Sequence, residues 1–418
     1  MSEPLNNPWR HRFAVLTAIA TFLLLAAGGL VTSHDVGMAV PDWPNTYGYN
    51  MFFFPWSQWV GGIFYEHTHR LIASGVGLLT GVLALWLYGK PARPFMRWSG
   101  LILVLLGIAN ELLVPARWAD GIVSGATGLV MFGASFAWPR CEPAAKWLRR
   151  LGLAAFFAVV LQGVLGGLRV ILFKDQLGIV HATLAQLFFA LVCAIALFTG
   201  KWWMEMERAG PAPGAPKMRR WFVGATALIL FQLILGAAMR HQHAGLAIPD
   251  FPLAYGKLWP ATDPDSVALY NERRIEVTAA NPITSFQIEL QMAHRLAAVL
   301  ILAAVALCAW RARAVGATRI SRSGPPEGGT PNLPYRLALF WLALILAQAA
   351  LGAATILTNK AADVATAHVL AGALSLATGV LLCILPVRNP ESTRQARALS
   401  AKADERGRGS LDAKTAAA

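Results

Sequence analysis

The chain has 418 residues and a mass of 45.0 kDa; 56% of residues are hydrophobic, 14% are charged and the mean hydropathy is +0.50, a balance that a water-solvated surface does not carry. A net charge of +14 would suggest nucleic acid for a soluble protein, but here the basic residues lie between apolar stretches, so the charge reports membrane orientation and no nucleic-acid partner is expected. Cys141 lies in a basic loop and Cys193, Cys308 and Cys383 lie in apolar runs, which excludes disulfide-scaffold and zinc-finger readings.

A hydrocarbon core ~30 Å thick needs about 20 apolar residues per helix, because lipid offers backbone groups no partner outside their own helix. Ten windows qualify, at 12–33, 66–88, 98–115, 120–138, 150–171, 178–199, 221–239, 286–308, 336–357 and 366–386. The first has the basic flank and small residues of a signal peptide, but its length argues for an uncleaved anchor. Asn110 and Glu111 sit near the end of the third, and Gly121, Gly125, Gly128 and Gly133 dilute the fourth, so 98–138 is expected to be an extra helical hairpin of shallow depth.

Of the 36 Lys and Arg residues, 26 fall in the amino terminus, the carboxyl tail and the stretches 89–97, 139–150, 200–220 and 311–336, whereas 34–65 contains none. The positive-inside rule then puts both termini in the cytoplasm of a multi-pass protein of the inner membrane. The expected organisation is a cytoplasmic amino terminus at 1–11, a first bundle at 12–199 containing the insert, a cytoplasmic linker at 200–220, a second bundle at 221–386 with a cytoplasmic linker at 311–335, and a disordered cytoplasmic tail at 387–418. The Gly/Pro-rich part of the second linker is placed at 314–334.

An internal repeat supports the two bundles. GGLVTSHDVGMAVPDWPNTYG at 28–48 matches GAAMRHQHAGLAIPDFPLAYG at 236–256, EHTHR at 66–70 matches QMAHR at 291–295, QGVLGGLRV at 162–170 matches QAALGAATI at 348–356, and His181 matches His368. Both copies enter from the same side, so the fold class is an all-α polytopic membrane protein of two homologous four-helix bundles, in parallel repeat, plus the hairpin.

Each copy carries one histidine near the start of its second core helix, His69 or His294, and one near the start of its fourth, His181 or His368. Two imidazoles at one depth on separate helices suit axial ligation of a heme iron. Buried histidines bonded to neighbouring carbonyls, or a proton relay, are the other readings, although a relay usually adds acids deep in the spans. The helical rotation of ~100° per residue puts Glu66, His69 and Arg70 on one face and turns His67 away.

Arg70 and Arg295 follow the ligands in both copies and suit either propionate pairing or interfacial anchoring. Glu66 is the departure from symmetry, because Gln291 stands at the matching position. It is a candidate catalytic residue, as a proton acceptor or a stabiliser of positive charge, or else a helix-start carboxylate. His34, His241 and His243 are expected in a solvated loop, although His241 and His243 could together meet a metal; Asp42 and Asp250 are expected to brace turns, and Trp43, Tyr47, Phe251 and Tyr255 suit a porphyrin face or an interfacial belt.

Taken in order, GGLVT, PDWP, EHTHR, QGVLGGLRV, His181, PDFP, QMAHR, QAALGAAT and His368 resemble the heme A synthase family over most of 12–386, outside 98–138. The resemblance implies oxidation of a methyl group of heme O to the formyl of heme A, for a terminal oxidase. It further implies that His69, His181 and Glu66 receive heme O, that His294 and His368 hold a permanent heme b, and that electrons pass to that second heme. A heme O synthase as donor, an oxidase-assembly partner or a homo-oligomer, and membrane lipid are the partners it suggests. Some relatives carry a cysteine pair in the first outer loop, which residues 34–65 lack. A di-heme b-type cytochrome that carries electrons without altering heme is the alternative, and a transporter built from parallel repeats is a third class.

Overall fold

A computed structural model describes residues 7–203, 215–274, 281–323 and 333–385. Among these residues the structure is helical, with isolated bridges but no strands, and ten helices are long and apolar enough to cross a membrane. They are α1 (Pro8–Ser33), α2 (Gly61–Tyr88), α3 (Ala92–Leu113), α4 (Trp118–Ala137), α5 (Lys146–Leu172), α6 (Asp175–Phe198), α7 (Ala215–His241), α9 (Ser285–Ser323), α10 (Leu333–Leu357) and α11 (Ala362–Ile384). The short α8 (Pro264–Glu272) lies in the loop between α7 and α9. The ends follow local chemistry. Asn7 caps the α1 amides of Trp9 and Arg10 at 3.0 and 3.3 Å, and Pro8 needs no donor at the first helical position. Gly89 ends α2 at φ +62°, where a side chain would strike the Cys141 carbonyl.

One expectation needs correction. The linker placed at 314–334 is helical as far as Ser323, so α9 continues past its apolar span; Gly324-Pro325-Pro326 is the sequence that cannot continue it. The remainder of that linker to 332, and the tail at 387–418, lie outside the described residues.

The helices close two rings. In the first, α1 packs on α2 and α6, and α5 packs on α2 and α6; in the second, α7 packs on α9 and α11, and α10 packs on α9 and α11. The bundles meet where α1 and α6 contact α11 and where α6 contacts α7, so α6 and α11 are the central helices. Phe189, Ala373 and Ala377 are buried in that seam beside Phe22, Leu25 and Leu374. Each bundle has its own apolar core in the half away from the histidines. Leu83, Leu87, Leu148 and Ile195 fill one, and Phe222, Val305, Trp341 and Leu376 fill the other. In lipid such cores are held by close packing and internal hydrogen bonds. Trp341 shows both, since its indole lies against Gly379 and donates to the Ser375 carbonyl at 2.8 Å.

The insert forms full-length helices. α3 and α4 pack chiefly on each other: a methyl at Gly107 would come within 2.7 Å of the Gly121 carbonyl, and one at Gly128 within 2.7 Å of the Val104 amide. Such small residues let helix backbones approach. The hairpin touches the first outer loop through Asn50, which donates to Asp120 at 2.7 Å, and through Phe53 against Trp118.

Candidate functional site

The loop following the first helix of each bundle folds back over the start of the next long helix, and the two loops make the same bonds. Asp42 accepts from the amides of Tyr47 and Gly48 at 2.8 and 2.7 Å, and Asp250 accepts from Tyr255 and Gly256 at 2.7 and 2.9 Å. These aspartates brace turns, as short acceptors beside left-handed Tyr47 and Tyr255 should. Tyr47 donates its hydroxyl to Ala39 at 2.6 Å, and Tyr255 does so to Ala247. The Tyr255 phenol is pushed up to about 12, first by burial and then by stacked Tyr270 and by Asp250.

Arg70 and Arg295 tie these loops to the helices. Arg70 donates to the carbonyls of Asp42, Asn45 and Val40 at 2.7, 2.9 and 2.9 Å and to Glu66 at 2.8 Å. Arg295 donates to Leu253 and Asp250 at 2.8 and 2.7 Å and lies over the Phe251 ring. The guanidinium groups offered to propionates by the sequence are therefore engaged by loop carbonyls, which are close in space but distant in the chain. Trp43 packs on Gly167 of α5. His67 is turned away from His69, as helical rotation requires, into a pocket of Thr46, Phe54 and Trp59.

Glu66 is buried at 4% exposure, with one oxygen held by Arg70 and the other accepting the Val40 amide at 2.8 Å. Gln291, at 2%, accepts the Ile248 amide at 2.7 Å in the second bundle.

The four histidines follow one rule. Each ring lies on a glycine of the preceding long helix: His69 on Gly28, His181 on Gly166, His294 on Gly236 and His368 on Gly352. A Cβ at these glycines would come within 3.1, 3.3, 3.3 and 3.0 Å of the respective rings, so a larger residue would displace them. His69 presents Nε2 to its glycine and the others Cε1. All four rings are half-buried, and His69 and His181 lie within Coulombic reach of each other, as do His294 and His368.

The rings suit metal ligation. His368 Nδ1 lies 3.0 Å from the Gln348 carbonyl, which can only accept, so Nδ1 carries the proton and Nε2 keeps its lone pair. The matching Gln162 carbonyl lies beside the His181 ring. The buried Nδ1 atoms of His181 and His294 have no hydrogen-bond partner among the described residues. Imidazoles cradled by glycine and paired within each bundle fit ligation of the iron of a planar macrocycle. Among the described residues no group of three or more His, Cys, Asp and Glu could hold a bare metal ion.

Three features were missed from sequence. His241 is not solvated: it is buried at 6%, with its ring against Gly178 of α6. Its place at the end of α7 in the inter-bundle seam is tertiary information. His34 and His243 are exposed, and His34 stacks on Tyr65. Arg240 crosses the seam and donates to the Gly29 carbonyl at 2.7 Å and Ser33 at 2.5 Å. Arg169 lies beside His69 and His181, and its buried Nε has no partner. Its signal was present in the repeat, where Thr355 stands at the matching position.

Fold and site define a polytopic helical membrane protein with two four-helix bundles, each holding a facing histidine pair beneath a folded-back loop. The chain belongs to the COX15-CtaA family, described as cytochrome oxidase assembly protein, whose model matches residues 116–380. It is similar to a heme A synthase of Symbiobacterium thermophilum, at 30% identity over 56% of this chain and 66% of that protein. Longer matches join it to heme A synthases of Geobacillus kaustophilus, at 25% identity over 89% of each chain, and Chelativorans, at 25% over 87% of each.

Proposed function

We propose that this chain is a heme A synthase, a membrane oxidoreductase that oxidises a methyl substituent of heme O to the formyl group of heme A for oxidase assembly. The observation that carries this reading is the glycine-backed histidine pair in each bundle, with an acid beside one pair alone. Family membership and the heme A synthases it resembles along most of its length support the same chemistry.

In this reading His69 and His181 hold the iron of heme O, while His294 and His368 hold a resident heme b, which supplies a one-electron redox centre when bound. Gly28 and Gly166 leave the first pair of rings room beside the helix backbones. The first outer loop closes that end of the bundle, with Val40 and Phe54 buried, and limits water at the reacting edge. Glu66 holds an anion there. Both its oxygens are already engaged, which favours stabilisation of positive charge over proton abstraction. The central helices α6 and α11 carry one histidine from each pair, so the sites lie back to back across the seam. The basic loops assign both termini to the cytoplasmic side of the inner membrane, where a heme O synthase would supply substrate.

The test is pigment extraction from cells that make heme O but lack heme A. Expression should restore heme A, and His69→Ala or His181→Ala should abolish it. Restored b-type absorbance without heme A would instead identify a di-heme cytochrome.

A further inference from the structure

Arg169 is a cation without a counterpart in the second bundle. It sits on α5 one turn beyond Gly166, the residue that backs the His181 ring. Thr355, at the matching position of α10, turns its hydroxyl to the Leu351 carbonyl at 2.8 Å and carries no charge. Asp175 and Glu66 are the acids within electrostatic reach of Arg169, but neither forms an ion pair with it among the described residues, and Glu66 is held by Arg70. His69, His181, His241 and Arg240 also face it. The loop comes close as well: a Cβ at Gly37 would lie 3.0 Å from Nη1 of Arg169. No hydrogen bond engages its guanidinium among the described residues, and its Nε is buried without a partner. Arg70, by contrast, spends its terminal nitrogens on three loop carbonyls and Glu66. A half-buried guanidinium whose buried Nε is unpaired and whose terminal donors are free is an incomplete carboxylate fork.

We infer that Arg169 is a specificity-determining residue of the amino-terminal pocket and receives a propionate carboxylate of the porphyrin lying between His69 and His181. The inference rests on the heme reading proposed above. A tetrapyrrole held by its iron at these rings presents its acidic edge to one side, and Arg169 is the unpaired cation beside both ligands. Arg240 adds positive charge from across the seam while remaining tied to α1. The second bundle, with Thr355 at this position, recognises its porphyrin without that contact.

The experiment titrates the purified full-length protein with iron protoporphyrin IX and separately with its dimethyl ester, following the Soret band. The amino-terminal site is defined as the binding lost in His69→Ala. The free acid should bind there about ten- to hundredfold more tightly than the ester. Arg169→Thr should erase the preference by weakening acid binding alone, and Arg169→Lys should retain part of it. Equal affinities for acid and ester in the unmodified protein would overturn the assignment without any variant, and so would parallel loss of both in Arg169→Thr. If His69→Ala changes neither isotherm, it is the heme reading of this bundle that fails, and the Arg169 assignment falls with it.

Discussion

Glu66 and Gln291 differ in charge yet perform the same structural task, each accepting a buried loop amide, from Val40 at 2.8 Å and from Ile248 at 2.7 Å. Loop anchoring therefore needs an oxygen at this position and does not need a carboxylate. What Glu66 adds over Gln291 is its charge and the ion pair with Arg70.

Glu66→Gln should accordingly keep the loop bond, the fold and the porphyrin content. Heme A formation should fall by about a hundredfold or more if the charge acts on the reacting edge. Comparing extracted heme A with bound heme in the same membranes checks this, and an unchanged heme A yield would remove Glu66 from the chemistry.

Arg70→Ala should open the first outer loop, because three bonds to it are lost and the carbonyls of Val40, Asp42 and Asn45 lose their donor. The expected cost is on the order of 3 kcal/mol. Hydrogen exchange should speed up at the amides of Val40, Tyr47 and Gly48, while the second loop remains protected. If exchange there stays at the unmodified rate, Arg70 is not the anchor.

Gly352→Val should empty the second pocket. Even a single Cβ would lie 3.0 Å from the His368 ring, and two further methyl groups leave the imidazole no place beside α10. The hemochrome assay should report loss of the heme proposed for this pocket, with Gly224→Val, whose Cβ meets nothing within 4 Å, as the control that keeps it. Full heme content in Gly352→Val would contradict the cradle.

The second outer loop should lose stability in alkali. Tyr255 titrates at about 12 in the fold against 10.0 for an ordinary phenol, so below pH 10 both folded and unfolded chains hold the proton and its contribution is fully present. Above pH 10 the unfolded chain ionises first, and the contribution disappears as pH rises through about 12. Melting temperatures across this range should decline less in Tyr255→Phe than in the unmodified protein, and identical slopes would argue against the assignment.

The helices and the two histidine pairs were legible without coordinates, because the hydrocarbon core imposes apolar length on each helix and the repeat marks corresponding histidines. Asp42 and Asp250 were legible for a local reason, since an aspartate closing a turn bonds amides five and six residues ahead. The end of α9 was misplaced because the ten residues before the Gly-Pro-Pro break include Gly316, Thr318, Ser321 and Ser323 and so resembled a linker, although no proline among them stops the helix. Arg70 and Arg295 were offered to propionates because their carbonyl partners lie 25 to 45 residues away along the chain.

Apolar run length, charge placement and repetition thus pointed to a membrane protein of two repeated bundles with paired imidazoles, since each is a property of the chain itself. Only packing decided which cations are occupied, which histidine is buried at the seam and which glycine supports each ring. Those outcomes depend on side chains from different helices arriving at one place, and a backbone carbonyl offered as a partner leaves no mark in the order of residues.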